Sequence, residues 1–147
     1  MNKKKAGAIL AAILLGLGLT ACAGGSYDYQ YYTAQELNDA MKSGASLLLL
    51  DVQPADQYEL HHIPGAVFTD AFPGDTPESQ AILKTYLKDV KQFDGDVVLI
   101  CPMGKMGSVN AFDYFAAHGV DPHKLYILEG GQNGWPYACE GTGPLEG

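Results

Sequence analysis

The sequence predicts an α/β fold in which a parallel sheet is covered by helices on both faces. Three observations carry this. The runs "SLLLLDV" (46–52), "DVVLIC" (96–101) and "KLYILEGG" (124–131) have apolar centres without alternation, as strands buried on both faces do. Between them lie stretches with helical spacing, and strands alternating with helices imply parallel pairing through crossovers. The chain has 147 residues, 47% of them hydrophobic, which suits one domain with its own core.

The first residues stand apart from that core. Lys3, Lys4 and Lys5 precede an apolar run from Ala6 to Leu19 that ends in small residues. This is the layout of an export signal, and the run is too short for a convincing membrane-spanning helix. "LTAC", Leu19 to Cys22, resembles the lipobox of bacterial lipoproteins. The resemblance implies cleavage before Cys22, lipidation of that cysteine, and attachment to a membrane through the lipid. A diacylated end anchors stably. The expected organisation is a leader over 1–21, a lipid-anchored tether over 22–32 and a domain over 33–147. The protein is expected to be exported and held on the outer face of the plasma membrane. Ala23, where an aspartate would retain the protein there, implies the outer membrane in a two-membrane cell.

All nine cationic residues are lysine, against seventeen acids. Loss of the leader removes three lysines and no acid, leaving a net charge of −11. So acidic a chain without a basic stripe is a poor partner for nucleic acid.

Within the domain, Thr33 with Glu36 three residues later forms a capping-box pattern. Leu37, Ala40 and Met41 continue a helix that Gly44 stops. The first buried strand, 46–52, ends at Asp51. A short helix is expected at Ala55–Leu60, a turn at Pro64-Gly65, and a short strand at Ala66–Phe68. Thr76 and Pro77 open a longer helix with Ile82, Leu83, Tyr86, Leu87 and Val90 inward. The second strand, 96–101, ends at Cys101. A helix from about Ser108 to Gly119 turns Val109, Phe112 and Phe115 or Ala116 inward. The third strand, 124–131, leads to a glycine-rich close. No internal repeat is present.

In open sheets of this class, ligands bind beyond the carboxyl ends of the strands. Asp51 and Cys101 both lie there. Gly104 and Gly107 in "CPMGKMGS" can take left-handed angles that other residues avoid. A loop curled in this way turns N–H groups inward as an anion nest, and the following helix adds the positive end of its dipole. A thiolate or persulfide would be stabilised at its centre. A strand-end cysteine is otherwise an ordinary small apolar residue, so this segment alone leaves both readings open.

"LLLLDV" followed by "DQYELHHIPGAVF", "VVLICPMGKMGS" and "YILEGGQNGW" occur in the order and spacing of a rhodanese homology domain, which the chain resembles from about Thr33 to Trp135. The resemblance implies a three-layer α/β fold and transfer of sulfane sulfur without metal or cofactor. Cys101 matches the nucleophile that holds sulfur as a persulfide. Pro102, Met103, Gly104, Lys105, Met106, Gly107 and Ser108 match the substrate-binding loop. Asp51 and His62 match structural residues near the site, and Trp135 packs under the closing turn. The expected partners are a small sulfur donor (polysulfide, persulfide or thiosulfate) and a thiol or cyanide acceptor.

The loop departs from its relatives at Met106, where many carry arginine, and at Pro102 and Met103, where thiosulfate users are often cationic or polar. Lys105 is its one fixed charge. A thioether-lined mouth suits polysulfide, an organic persulfide or a thiol better than doubly charged thiosulfate. A catalytically silent sulfur-carrier or protein-binding module is the alternative. Without arginine, bidentate phosphate binding and hence phosphatase or arsenate reductase chemistry are not expected. Two cysteines make no disulfide framework, and no zinc spacing is present. Cys139 could resolve a persulfide on Cys101 as a disulfide, but nothing in the sequence brings the two together, and the favoured reading keeps it away from the pocket.

Overall fold

The computed structural model describes residues 27–143. The leader and Cys22 lie outside these residues. Among the described residues no helix is long and apolar enough to cross a membrane.

The elements run β1 (Gln30–Tyr32), α1 (Ala34–Ser43), β2 (Leu47–Asp51), α2 (Ala55–Leu60), β3 (Val67–Phe68), α3 (Pro77–Gln92), β4 (Asp96–Ile100), α4 (Met106–Ala117) and β5 (Leu125–Leu128). The five strands form one sheet in the order β1-β5-β4-β2-β3. Every pair is parallel, with Leu50 opposite Leu99 and Asp51 opposite Ile100. Parallel pairing requires crossovers, and the helices supply them on both faces.

Alternation along β4 shows how the two faces are filled. Val97 and Leu99 join Leu83, Val90, Phe112 and Phe115 of α3 and α4. Val98 and Ile100 join Leu37 of α1, Ile63 and Trp135. Each buried aliphatic or aromatic side chain contributes about 1.5–3 kcal/mol, so this sheet is held from both sides.

The helix ends follow local chemistry. Thr33 accepts from Glu36 N–H at 3.2 Å while the Glu36 carboxylate accepts from Thr33 N–H at 2.9 Å. Gly44 closes α1 at φ +74°, a left-handed cap that glycine takes without steric cost.

Three elements differ from expectation. Gln30–Tyr32, read as part of the tether, forms the edge strand β1 on β5. α4 starts at Met106 rather than near Ser108, because Gly107 is helical. β5 stops at Leu128, since Gly130 and Gly131 turn left-handed at φ +74° and +60°.

Candidate active site at the carboxyl edge of the sheet

β4 delivers Cys101 to the edge where β2 delivers Asp51. Val52 N–H donates to Ile100 O at 2.8 Å, so the pairing of these strands continues to the residue before the cysteine. Cys101 is 2% exposed and packs on the α3/α4 face. The loop then turns at Gly104, which has φ +63°.

That turn is clamped by the close of the chain. Gln132 N–H donates to Cys101 O and Asn133 N–H to Pro102 O, both at 2.9 Å. Gly104 and Gly131 interlock backbone to backbone. A Cβ on Gly131 would lie 2.2 Å from Cys101 O, and one on Gly104 would lie 2.3 Å from Leu128 O. Only glycine permits both the angle and the approach. Gly131 and Gln132 were inside a recognised motif, yet no role for them could be read from it. The contact joins segments about thirty residues apart and is made by backbone atoms, which the sequence pattern does not identify.

The N-terminus of α4 stands beside the cysteine. Its first intrahelical bond is Val109 N–H to Lys105 O at 2.9 Å. The N–H groups of Met106, Gly107 and Ser108 therefore precede the ladder. No side chain caps this end and no acid lies in its first turn. Gly107, expected to turn left-handed, instead makes room: a Cβ there would lie 3.1 Å from Cys101 Cβ and 2.8 Å from the Phe72 ring. Phe72 was not expected near the site; Asn110 holds its segment by donating to Pro73 O at 2.9 Å.

The remaining loop residues divide by exposure. Met103 is 58% and Met106 56% exposed; Lys105 is also exposed, and Pro102 and Gly104 are half-buried. Ser108 is buried, and its hydroxyl donates to Leu99 O at 3.2 Å. That side chain serves the end of β4, and the backbone N–H of Ser108 is among those that precede the α4 ladder.

Asp51 is fully buried. Its two oxygens accept from Gln53 N–H at 2.9 Å and Gln53 Nε2 at 3.0 Å. Burial pushes its carboxyl up to about 6, against the opposing pull of the Gln53 donors and of His62. His62 stacks on Tyr58 at 3.8 Å, pairs Nδ1 with Tyr58 O at 2.8 Å and bridges to Glu140 through its backbone. It fixes a turn. Trp135 is buried under the closing segment, with Nε1 donating to Ala138 O at 3.3 Å.

Cys139 accepts from Gln132 Nε2 at 3.3 Å. Its side chain packs with the α1-side cluster, and that of Cys101 with the α3/α4 cluster. The two thiols are free and lie on opposite faces of the sheet, so the direct disulfide considered from sequence has no support in the fold. A cleft of about 690 Å³ lies beside Cys139, and Cys101 does not line it.

The sequence matches the Rhodanese-like domain family over residues 33–137. No curated protein matches the chain significantly. Among solved structures, a rhodanese-like domain from Anabaena superposes with a TM-score of 0.61 at 19% identity, over 76% of this chain and 79% of that one. A protein from Bacillus halodurans gives 0.59 at 23% identity, over 77% of each. A thiosulfate sulfurtransferase from Pseudomonas aeruginosa gives 0.56 at 21% identity, over 77% of this chain and 19% of that longer one. These identities speak to the fold alone, whereas the family match spans the strand that bears Cys101, its loop and the glycine turn that clamps it: the chain belongs to the rhodanese-like domain family.

Proposed function

We propose that this protein is a sulfurtransferase that carries sulfane sulfur as a persulfide on Cys101. The observation that supports this most is the uncapped N-terminus of α4 standing against the cysteine. Three N–H groups without intrahelical partners and the positive end of the helix dipole are available there to a thiolate or persulfide anion. The loop holds no acid that would occupy it first.

In the first half-reaction the Cys101 thiolate attacks the outer sulfur of the donor. The new bond is Sγ–S, and the donor's S–S bond breaks with its electron pair on the leaving group. That group is sulfite from thiosulfate or a shortened chain from polysulfide. In the second half, cyanide or a thiolate attacks the outer sulfur and Cys101 leaves as thiolate, as in covalent catalysis generally. The exposed thioethers of Met103 and Met106 favour polysulfide or an organic persulfide over thiosulfate as donor. Of the fold neighbours, one is a thiosulfate sulfurtransferase. The missing arginine at Met106 and the apolar Pro102-Met103 pair also favour a second reading, a silent sulfur-carrier or protein-binding module.

The test uses the chain from Ser26 onward and its Cys101→Ser variant. Each is incubated with polysulfide or thiosulfate, desalted, weighed intact and then treated with cyanide. A gain of one sulfur that requires Cys101 and leaves as thiocyanate is the expected result. No gain from either donor in a folded protein rejects the enzyme reading and leaves the binding module.

The leader and lipobox support a lipid anchor on Cys22 in the cell envelope. Labelled palmitate incorporated in bacterial cells, and lost in Cys22→Ala, is the expected outcome. Equal labelling of both forms rejects it.

A further inference from the structure

Gln132 is 2% exposed, and its Oε1 is the one buried side-chain polar atom without a partner among the described residues. Its Nε2 donates to Cys139 Sγ at 3.3 Å. Amide oxygen and nitrogen can be exchanged in such an assignment. Turned around, the oxygen would accept from the Cys139 thiol and the NH₂ would be orphaned. In either orientation half of the amide is left unpaired, a costly state for a buried group.

Gln132 and Cys139 both line the 690 Å³ cleft, together with Leu60, Trp135 and Tyr137. Its volume is in the range of small-molecule sites. Its walls are built. Glu140 and His62 bridge backbone to backbone, Thr142 N–H donates to Glu59 O at 2.9 Å, and Gly143 N–H donates to Leu60 O at 2.8 Å. These bonds tie the closing segment to the end of α2. Cys101 does not line the cleft, although Gln132 and Asn133, which do, hold the Cys101 loop through their backbone N–H groups.

We propose that this cleft binds a small peptidic thiol, supplied as its disulfide, and joins it to Cys139 as a mixed disulfide. The Cys139 thiolate attacks one sulfur of the disulfide, having lost its proton to solvent. The new Sγ–S bond forms as the ligand's S–S bond breaks. The departing half leaves with the electron pair as a thiolate and takes a proton from solvent. A peptide group on the ligand offers both a donor and an acceptor, so it completes the Gln132 amide in either orientation. Leu60 and Tyr137, 47% and 37% exposed, cover its apolar part. This inference does not depend on sulfur transfer at Cys101.

The experiment uses the full chain in mild detergent. It is exposed separately to glutathione disulfide, which carries amides, and to 2-hydroxyethyl disulfide, which has none. Rates come from intact mass, and adducts are located by non-reducing peptide mapping. At Cys139, the glutathione rate relative to the hydroxyethyl rate should exceed the same ratio for free cysteine by about fivefold, the worth of one net hydrogen bond. Gln132→Met, which retains the backbone N–H that holds Cys101, should return the ratio to that of free cysteine. A free-cysteine ratio in the unaltered protein overturns the proposal. So do adducts confined to Cys22 or Cys101, or an undiminished ratio in a folded Gln132→Met.

Discussion

The first turns of α1 and α3 differ from the first turn of α4. α1 and α3 begin with complete capping boxes, Thr33 with Glu36 and Thr76 with Ser79, and each carries an acid in its first turn. α2 lacks a cap of its own, but Ala55 N–H is satisfied from a distance by Asp70 Oδ1 at 3.1 Å. α4 has neither device. The capped ends are spent on stability. The open end leaves donors and dipole available to an anion, and it is the end that stands beside Cys101. A helix terminus can serve its own helix or a ligand, and the sequence of the first turn decides which.

The strongest way to break the comparison is to remove the clamp that places Cys101 against α4. Gly131→Ala introduces a Cβ 2.2 Å from Cys101 O at φ +60° and should cost about 4 kcal/mol in denaturant unfolding, with sulfur loading abolished. Gly44→Ala at φ +74° meets nothing within 4 Å and should cost about 1 kcal/mol with loading intact. Equal costs would mean that the interlock of Gly104 and Gly131 does not matter.

A second contrast concerns acids. Glu36 is held below the usual range by hydrogen bonds from the Thr33 backbone and side chain. Asp51 is raised by burial to about 6. Between about pH 4 and 6 folded Asp51 keeps a proton that the unfolded chain has released, so its contribution to stability falls as pH rises. At 1.36 kcal/mol per pKa unit the full loss is of the order of 3 kcal/mol. Asp51→Asn should flatten that part of the stability–pH curve. An unchanged curve in the variant would place the titration elsewhere.

A smaller effect, with opposite signs in two readouts, is expected at Met106, which occupies the first position of α4. Met106→Glu gives α4 the acid its neighbours have and should add about 0.5 kcal/mol of stability. It should slow loading from polysulfide about tenfold, by repulsion at the same spot. Met106→Arg should raise loading from thiosulfate. If both variants load like the native protein, the α4 terminus is not the anion site.

The smallest effect on loading is expected where capping has no second use. Thr33→Ala and Thr76→Ala should each cost about 1 kcal/mol without altering loading. A loss of loading in either would show that the ordinary caps also shape the site.

Much of this was legible because it is local. The Thr33–Glu36 and Thr76 caps, the short helix at Ala55–Leu60 and the apolar strands each follow from residues within a few positions of one another. The strand–cysteine–loop order likewise put Cys101 and Asp51 on one edge. What was misread had non-local causes. Gln30–Tyr32 alternates too briefly to read as a strand and becomes one because β5, far along the chain, offers a free edge. Gly107 reads as a loop residue, yet it lies inside α4, where the close approach of Phe72 and Cys101 leaves no room for a side chain.

The sequence by itself determined the class of fold, the family and the absence of a capping acid in the cysteine loop. These are properties of residue type and spacing. The tertiary structure alone decided that Gly131 and Gln132 clamp the cysteine loop, that Ser108 turns inward, and that Cys139 lies across the sheet beside a half-satisfied amide. Backbone contacts between distant segments and the face a side chain takes depend on how strands pair and layers pack. That pairing is settled only when the whole sheet forms, because each strand's register depends on its neighbours.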